Sequence, residues 1–138
     1  MGKEEIMVLG FKQGYGFVEK IGAKTKVHSI REDKHNRWHA GMRIHMATGV
    51  RTKGYCCFND KDECKSTQRI EIKYINKSMG VPVIIIDGRE HWFVEDERDR
   101  RVILALANND GFDTIRDFCK WFDRDFVGKI IHWTDLRY

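Results

Sequence analysis

Apolar and polar positions alternate most cleanly from Ser66 to Asn76 (STQRIEIKYIN), where Ile70, Ile72 and Tyr74 share one face and Arg69, Glu71 and Lys73 the other. A period of two predicts a half-buried strand. Ile6 to Phe11 (IMVLGF) and Val81 to Ile86 (VPVIII) are short apolar runs that predict buried strands, the first ending in the glycine-rich KQGYG. The second leads through Asp87-Gly88, a hairpin signal, to a return along Glu90 to Val94. Its Pro82 stands near the start, where a strand tolerates proline. Arg43 to Ala47 sets Ile44 and Met46 against Arg43, His45 and Ala47, and further strands are expected at Tyr55 to Phe58 and Gly128 to Trp133. Lys26 to Arg31 (KVHSIR) is unusual, because Lys26 and His28 share one face with Ile30 while Ser29 and Arg31 share the other with Val27. Polar groups on both faces do not suit an ordinary core strand.

Helical spacing is confined to a few places. Phe17, Val18 and Ile21 predict one short helix over residues 15 to 21, closed by Gly22. Arg37 to Ala40 reads as a single helical turn. The charged stretch Glu95 to Arg101 opens a longer helix, with its acids at the start where the dipole favours them and Val102, Ile103, Leu106 and Ala107 as its buried stripe. Asn108-Asn109-Asp110-Gly111 breaks it, Asp113 is the expected N-cap of a second helix, and Phe112, Ile115, Phe118, Cys119 and Phe122 mark that helix's apolar face. This order predicts an α+β fold: a small β-barrel of about six to eight mostly antiparallel strands with helices on its side. Residues 1–138 form one domain on this reading, and 41% hydrophobic positions suffice for a core.

Charge changes the picture locally. From Lys20 to Lys53 there are nine Lys or Arg against two acids, leaving the rest of the chain at a net −3 within the overall +4. A basic segment on an otherwise slightly acidic domain points to an anionic ligand such as RNA or a nucleotide. No apolar run approaches the roughly eighteen residues a bilayer requires. The N-terminal MGKEEIMVLG is too polar and short in its apolar part for a signal peptide, so a soluble, cytoplasmic protein without a membrane partner is expected. Cys56, Cys57, Cys64 and Cys119 lack a framework spacing, and reduced thiols are expected in that compartment. Their spacing, and that of His28, His35, His39 and His45, fits neither a zinc finger nor a zincin, so no metal or other cofactor is expected. Asn76-Lys77-Ser78 is formally a glycosylation sequon, without meaning in a cytosolic chain.

Gly22-Ala23-Lys24-Thr25, Ser29-Ile30-Arg31 and His39-Ala40-Gly41-Met42 resemble the signature of the ASCH domain family, in which a Gly-x-Lys-Thr motif leads into a Thr/Ser-Ile-Arg strand and then a Gly-containing turn. His39 replaces the usual Lys or Arg of that turn. The C-terminal LANNDGFDTIRDFCKWF and GKIIHWTDLRY look like a phage type of ASCH protein, so the resemblance spans most of the chain. It implies a PUA-like barrel, and a superfamily that contains proposed RNA binders, a ribonuclease-like member and an amidohydrolase acting on 4-acetylcytidine. In that enzyme a Lys and a Thr occupy the positions of Lys26 and Ser29, and a Glu completes the site. Asp110 is the matching carboxylate here, one methylene shorter.

Two classes of function follow. The first is an RNA- or nucleotide-binding domain using a basic cleft between the Lys26 to Arg31 strand and the Thr48 to Lys53 loop. Its ligand residues would be Lys24, Arg31, Arg43, Arg51 and Lys53, with Arg31 suited to bidentate phosphate contact. Trp38, Tyr55 and Trp133 are candidates to stack a base. The second is a small amidohydrolase deacylating a modified nucleoside such as 4-acetylcytidine, with Lys26 as base, Ser29 as hydroxyl and Asp110 as acid. Ribonuclease activity in the same cleft ranks below both. Lys26 and Ser29 lie on opposite faces of an ideal strand, so both reach one pocket only if the strand twists or bulges.

Overall fold

In the computed structural model, residues 4–75 and 80–138 are described, and the sequon Asn76-Lys77-Ser78 lies outside them. Eight strands and three helices follow in the order β1 (Ile6–Phe11), α1 (Phe17–Gly22), β2 (His28–Arg31), β3 (Arg43–Thr48), β4 (Cys56–Asn59), β5 (Ser66–Lys73), β6 (Val83–Ile86), β7 (Arg89–His91), α2 (Glu97–Asn109), α3 (Ile115–Trp121) and β8 (Phe126–His132). They form two sheets, β1-β3-β4 and β2-β8-β5-β6-β7. β1 pairs parallel to β3, and the other pairings are antiparallel.

The chain is therefore α+β, but the closed PUA-like barrel expected from the strand pattern is overturned: the strands divide between two sheets with separate edges. Closure needs the two edges of one staggered ladder to meet, and here the three-stranded and five-stranded ladders share no strand pairing. The sheets meet by other means. The Arg31 side chain of β2 donates to the Gly10 carbonyl of β1 at 2.6 Å. On the opposite side Cys64 N–H donates to Met42 O at 2.7 Å while the next residue, Lys65, donates to His132 O at 2.8 Å.

The apolar alternation of β5 does what its period predicts, with Ile70 and Ile72 fully buried beside Ile84 and Ile130. Ile103 and Leu106 of α2 and Phe118 of α3 close the same core. On β3 a register shift between Met46 and Ala47 turns Ala47 and Thr48 inward, so the polar face read from the sequence ends early. No helical turn forms at Arg37 to Ala40; the N–H groups of Arg37 and Trp38 instead donate to the Asp33 carboxylate at 2.8 and 3.0 Å, and Trp38 is buried in the core. Thr114, not Asp113, caps α3, accepting from Asp117 N–H at 3.1 Å, while Asp113 pairs with Lys20 at 2.9 Å. Among the described residues no helix is long and apolar enough to cross a membrane.

Candidate functional site

Where β1 ends, β2 begins and α2 stops, the chain converges on one small space. Val27 N–H donates to Asn109 O at 2.8 Å, tying the entry to β2 onto the C-terminus of α2. Asp110 caps that helix, and Gly111 follows with φ 98°. A Cβ at Gly111 would stand 3.0 Å from the Lys26 side chain and 3.2 Å from the Phe17 ring, so glycine serves both the left-handed turn and the close approach. Lys26 lies outside the regular strand, which starts at His28. That irregular lead-in removes the opposite-face problem: Lys26, Ser29, Arg31 and Asp110 all line one cavity of about 210 Å³, walled by Phe11, Phe17, Phe112 and Trp121.

The Lys26 ammonium is almost wholly buried and donates to His28 O at 2.9 Å and Asp110 O at 2.5 Å, with Asp110 Oδ1 at 3.5 Å. Burial lowers its pKa to about 8, against the opposing pull of the Asp110 charge. Phe11 and Phe17 present their rings 5.6 and 5.0 Å from its nitrogen. On the other side of Asp110 the donors run in a directed chain. Asn109 Nδ2 donates to Tyr138 Oη at 3.0 Å, and burial pushes the Tyr138 phenol up, so that it stays a donor to His28 Nε2 at 2.6 Å. His28 Nδ1–H then donates to Asp110 Oδ1 at 3.0 Å. Asp110 is thus held by Lys26 and His28 together.

A second histidine lies behind. His132 packs edge-on against His28 with ring centres 5.3 Å apart. Burial lowers the His132 pKa to about 4, so the ring is neutral at pH 7. The Gln68 amide nitrogen donates to Asp87 and to Tyr138 O, so its Oε1 is the acceptor that faces His132, and His132 Nε2 carries the proton across 3.0 Å. His132 Nδ1 is left as a buried acceptor with no partner.

Arg31 faces the mouth. Its Nε donates to Ser29 Oγ at 3.0 Å, its Nη2 to Gly10 O at 2.6 Å, and its guanidinium lies 5.0 Å from the Phe11 ring centre. Desolvation lowers its pKa, with Asp110 opposing, yet an arginine starts so high that it remains a cation. With Lys12, the cavity wall carries three cations against the single carboxylate of Asp110.

The other residues singled out from the sequence do not join them. Lys24 is exposed in the left-handed turn after α1. Arg43 pairs with Glu4 and donates to Asp60 O at 3.2 Å, away from the cavity. Arg51 and Lys53 are exposed on their loop. That loop does not line the cavity; its Gly49 and Val50 line a neighbouring shallow cleft with Gly10 to Gln13 and Tyr15. Trp38 and Trp133 are core side chains, 6% and 7% exposed, and cannot stack a base, whereas Tyr55 is half exposed at the edge of β4.

Several contributors were not foreseen: Phe11, Lys12, Phe17, Phe112 and Trp121 in the walls, and the His28–Tyr138 link behind Asp110. An aromatic in a glycine-rich turn, as in Gly14-Tyr15-Gly16-Phe17, was the available signal for one wall. Nothing local marks Tyr138 as the partner of a residue 110 positions away. Among the described residues no group of three His, Cys, Asp or Glu side chains gathers to hold a metal, and the four cysteines are unbridged. The chain matches no family model, no curated protein and no solved structure.

Proposed function

We propose that this domain binds RNA or a nucleotide-like ligand at the cavity between β1, β2 and the end of α2. One observation carries the reading: Lys12, Lys26 and Arg31 meet a single carboxylate on the wall of an aromatic-lined cavity of about 210 Å³. Flat apolar walls suit a nucleobase, and surplus positive charge at the mouth suits its phosphate. The cleft expected from the sequence narrows accordingly to a cavity lined by Lys26 and Ser29 to Arg31, while Gly49 and Val50 of the loop line only the neighbouring cleft and its cations stay outside both. The resemblance of Ser29-Ile30-Arg31 to ASCH sequences supports the same class of ligand. Titrating a fluorescent single-stranded RNA at increasing salt tests it. Affinity should fall with log salt, and Arg31→Ala should weaken it about tenfold. Affinity indifferent to both would end the proposal.

A second reading, deacylation of a modified nucleoside, is favoured by a separate observation: Lys26, Ser29 and Asp110 line one cavity, and the amine has its pKa lowered to about 8. About a tenth of the amine is then neutral at pH 7 and able to take a proton from a hydroxyl. Turnover of 4-acetylcytidine should rise with pH towards 8 and vanish in Lys26→Ala. No turnover by the intact protein removes this reading and leaves the first intact.

A further inference from the structure

We propose that the aromatic shelf beside the cavity is a subsite for a second base, so that the preferred ligand is a dinucleotide or longer single strand rather than a mononucleotide. The inference rests on the binding reading above and adds the length of the ligand. Phe17, Phe112 and Trp121 line the cavity and also bound a neighbouring hollow of about 390 Å³, whose outer wall is Tyr15. The two spaces are therefore contiguous across shared rings.

Tyr15 is 53% and Trp121 37% exposed, a cost that a folded surface seldom bears for two adjoining aromatic rings without a use. They are also held in place. Tyr15 stacks on Phe17 at 5.8 Å with 18° between planes, and meets Trp121 edge to face at 5.0 Å. Trp121 in turn packs at 5.5 Å against Phe17. A shelf fixed in advance stacks a base at little cost in ordering.

Charge selects the occupant. The hollow's own charges balance, with Lys20 and Lys120 against Asp113 and Asp117, and Lys20 is spent on Gly111 O at 2.7 Å and Asp113 at 2.9 Å. Lys12 pairs with no carboxylate among the described residues and holds its ammonium 5.4 Å from the Trp121 ring centre. It lines the cavity and borders the shelf, which is where the phosphate joining two stacked nucleosides would pass. A hydrophobic peptide would leave that cation unused, whereas a dinucleotide uses the ring face and the cation together.

The test compares cytidine 5′-monophosphate with the corresponding cytidine dinucleotide by calorimetry at fixed salt, on the intact chain and on Tyr15→Leu. The wild-type protein should bind the dinucleotide about tenfold tighter, and Tyr15→Leu, which changes no charge, should bring that ratio to near one. Tyr15→Phe keeps the ring and should restore the ratio, which separates stacking from any loss of folding. A ratio unchanged in Tyr15→Leu, or near one in wild type, with Arg31-dependent mononucleotide binding intact, overturns the shelf alone. Binding of neither ligand overturns the shelf together with the reading on which it rests.

Discussion

The wide groove beside Asp33 and the small cavity at Lys26 differ in how their charged groups are spent. The wide groove, about 780 Å³, runs along Glu32 to Asn36, Arg69 and Asp125 to Lys129 and holds three acids and three bases. There Asp33 accepts from Arg37 N–H, Trp38 N–H and Lys129, so its carboxylate is satisfied within the fold and its pKa is lowered. Lys129 is also bound to Trp38 O at 3.0 Å. The cavity is a quarter of the size, yet its cations outnumber its acid and its mouth arginine uses only part of its donor fork on the protein. Volume follows from how loops leave a surface, whereas unbalanced charge held against aromatic walls costs free energy unless a ligand answers it.

The contrast is broken or sharpened by substitutions taken from the strongest effect down. Asp110→Ala leaves the buried Lys26 ammonium with carbonyl partners but no counter-charge, and His28 Nδ1–H without its acceptor, and should cost about 3–5 kcal/mol in urea unfolding. Asp33→Ala in the groove, with backbone donors that can turn to water, should cost about 1–2 kcal/mol. Equal costs would mean that the two regions are built alike.

Next comes pH. The Lys26 pKa is lower in the folded protein, about 8, than in the unfolded chain, 10.5. Between those values the unfolded state binds more protons, so this residue makes stability rise with pH from about 8 upward. The gain by pH 9.5 should approach about 2 kcal/mol. Lys26→Met should flatten that slope, and an unchanged slope would show that the ammonium is not desolvated.

Smaller again are ligand effects. Arg31→Ala should weaken RNA binding about tenfold, while Arg69→Ala in the groove should leave it within about twofold. Arg51→Ala and Lys53→Ala, on an exposed loop, should each change affinity by no more than about twofold and mainly reduce its salt dependence. A larger loss at Arg51 than at Arg31 would return the site to the basic loop.

Local chemistry made much of the fold legible. IMVLGF, STQRIEIK and the Asp87-Gly88 hairpin formed where their apolar pattern and turn residues placed them, although the first strand, expected to be buried, leaves Ile6 and Val8 exposed. The stripe of α2 buried Ile103, Leu106 and Ala107 as its helical spacing requires. What failed depended on side-chain contacts that period does not show: Asp33 took the backbone N–H groups of Arg37 and Trp38 where a helical turn was expected, and Trp38 went into the core instead of a binding face. The barrel failed because closure is a property of strand edges meeting, and no single strand encodes it.

The candidate site divides in the same way. That Lys26, Ser29 and Arg31 put polar groups on both faces of one strand was readable from the sequence alone, whereas Asp110 stood in a helix-ending turn and was singled out only by the family resemblance. Which of the chain's cations would share a space was decided only by the tertiary structure. The lead-in to β2 is pinned to Asn109 of α2, Gly111 lets Lys26 pass, and Tyr138 reaches back to His28 from the end of the chain. Sequence sets each residue's preference for water or core, and convergence of residues some 80 positions apart is set by packing between elements that carry no trace of one another.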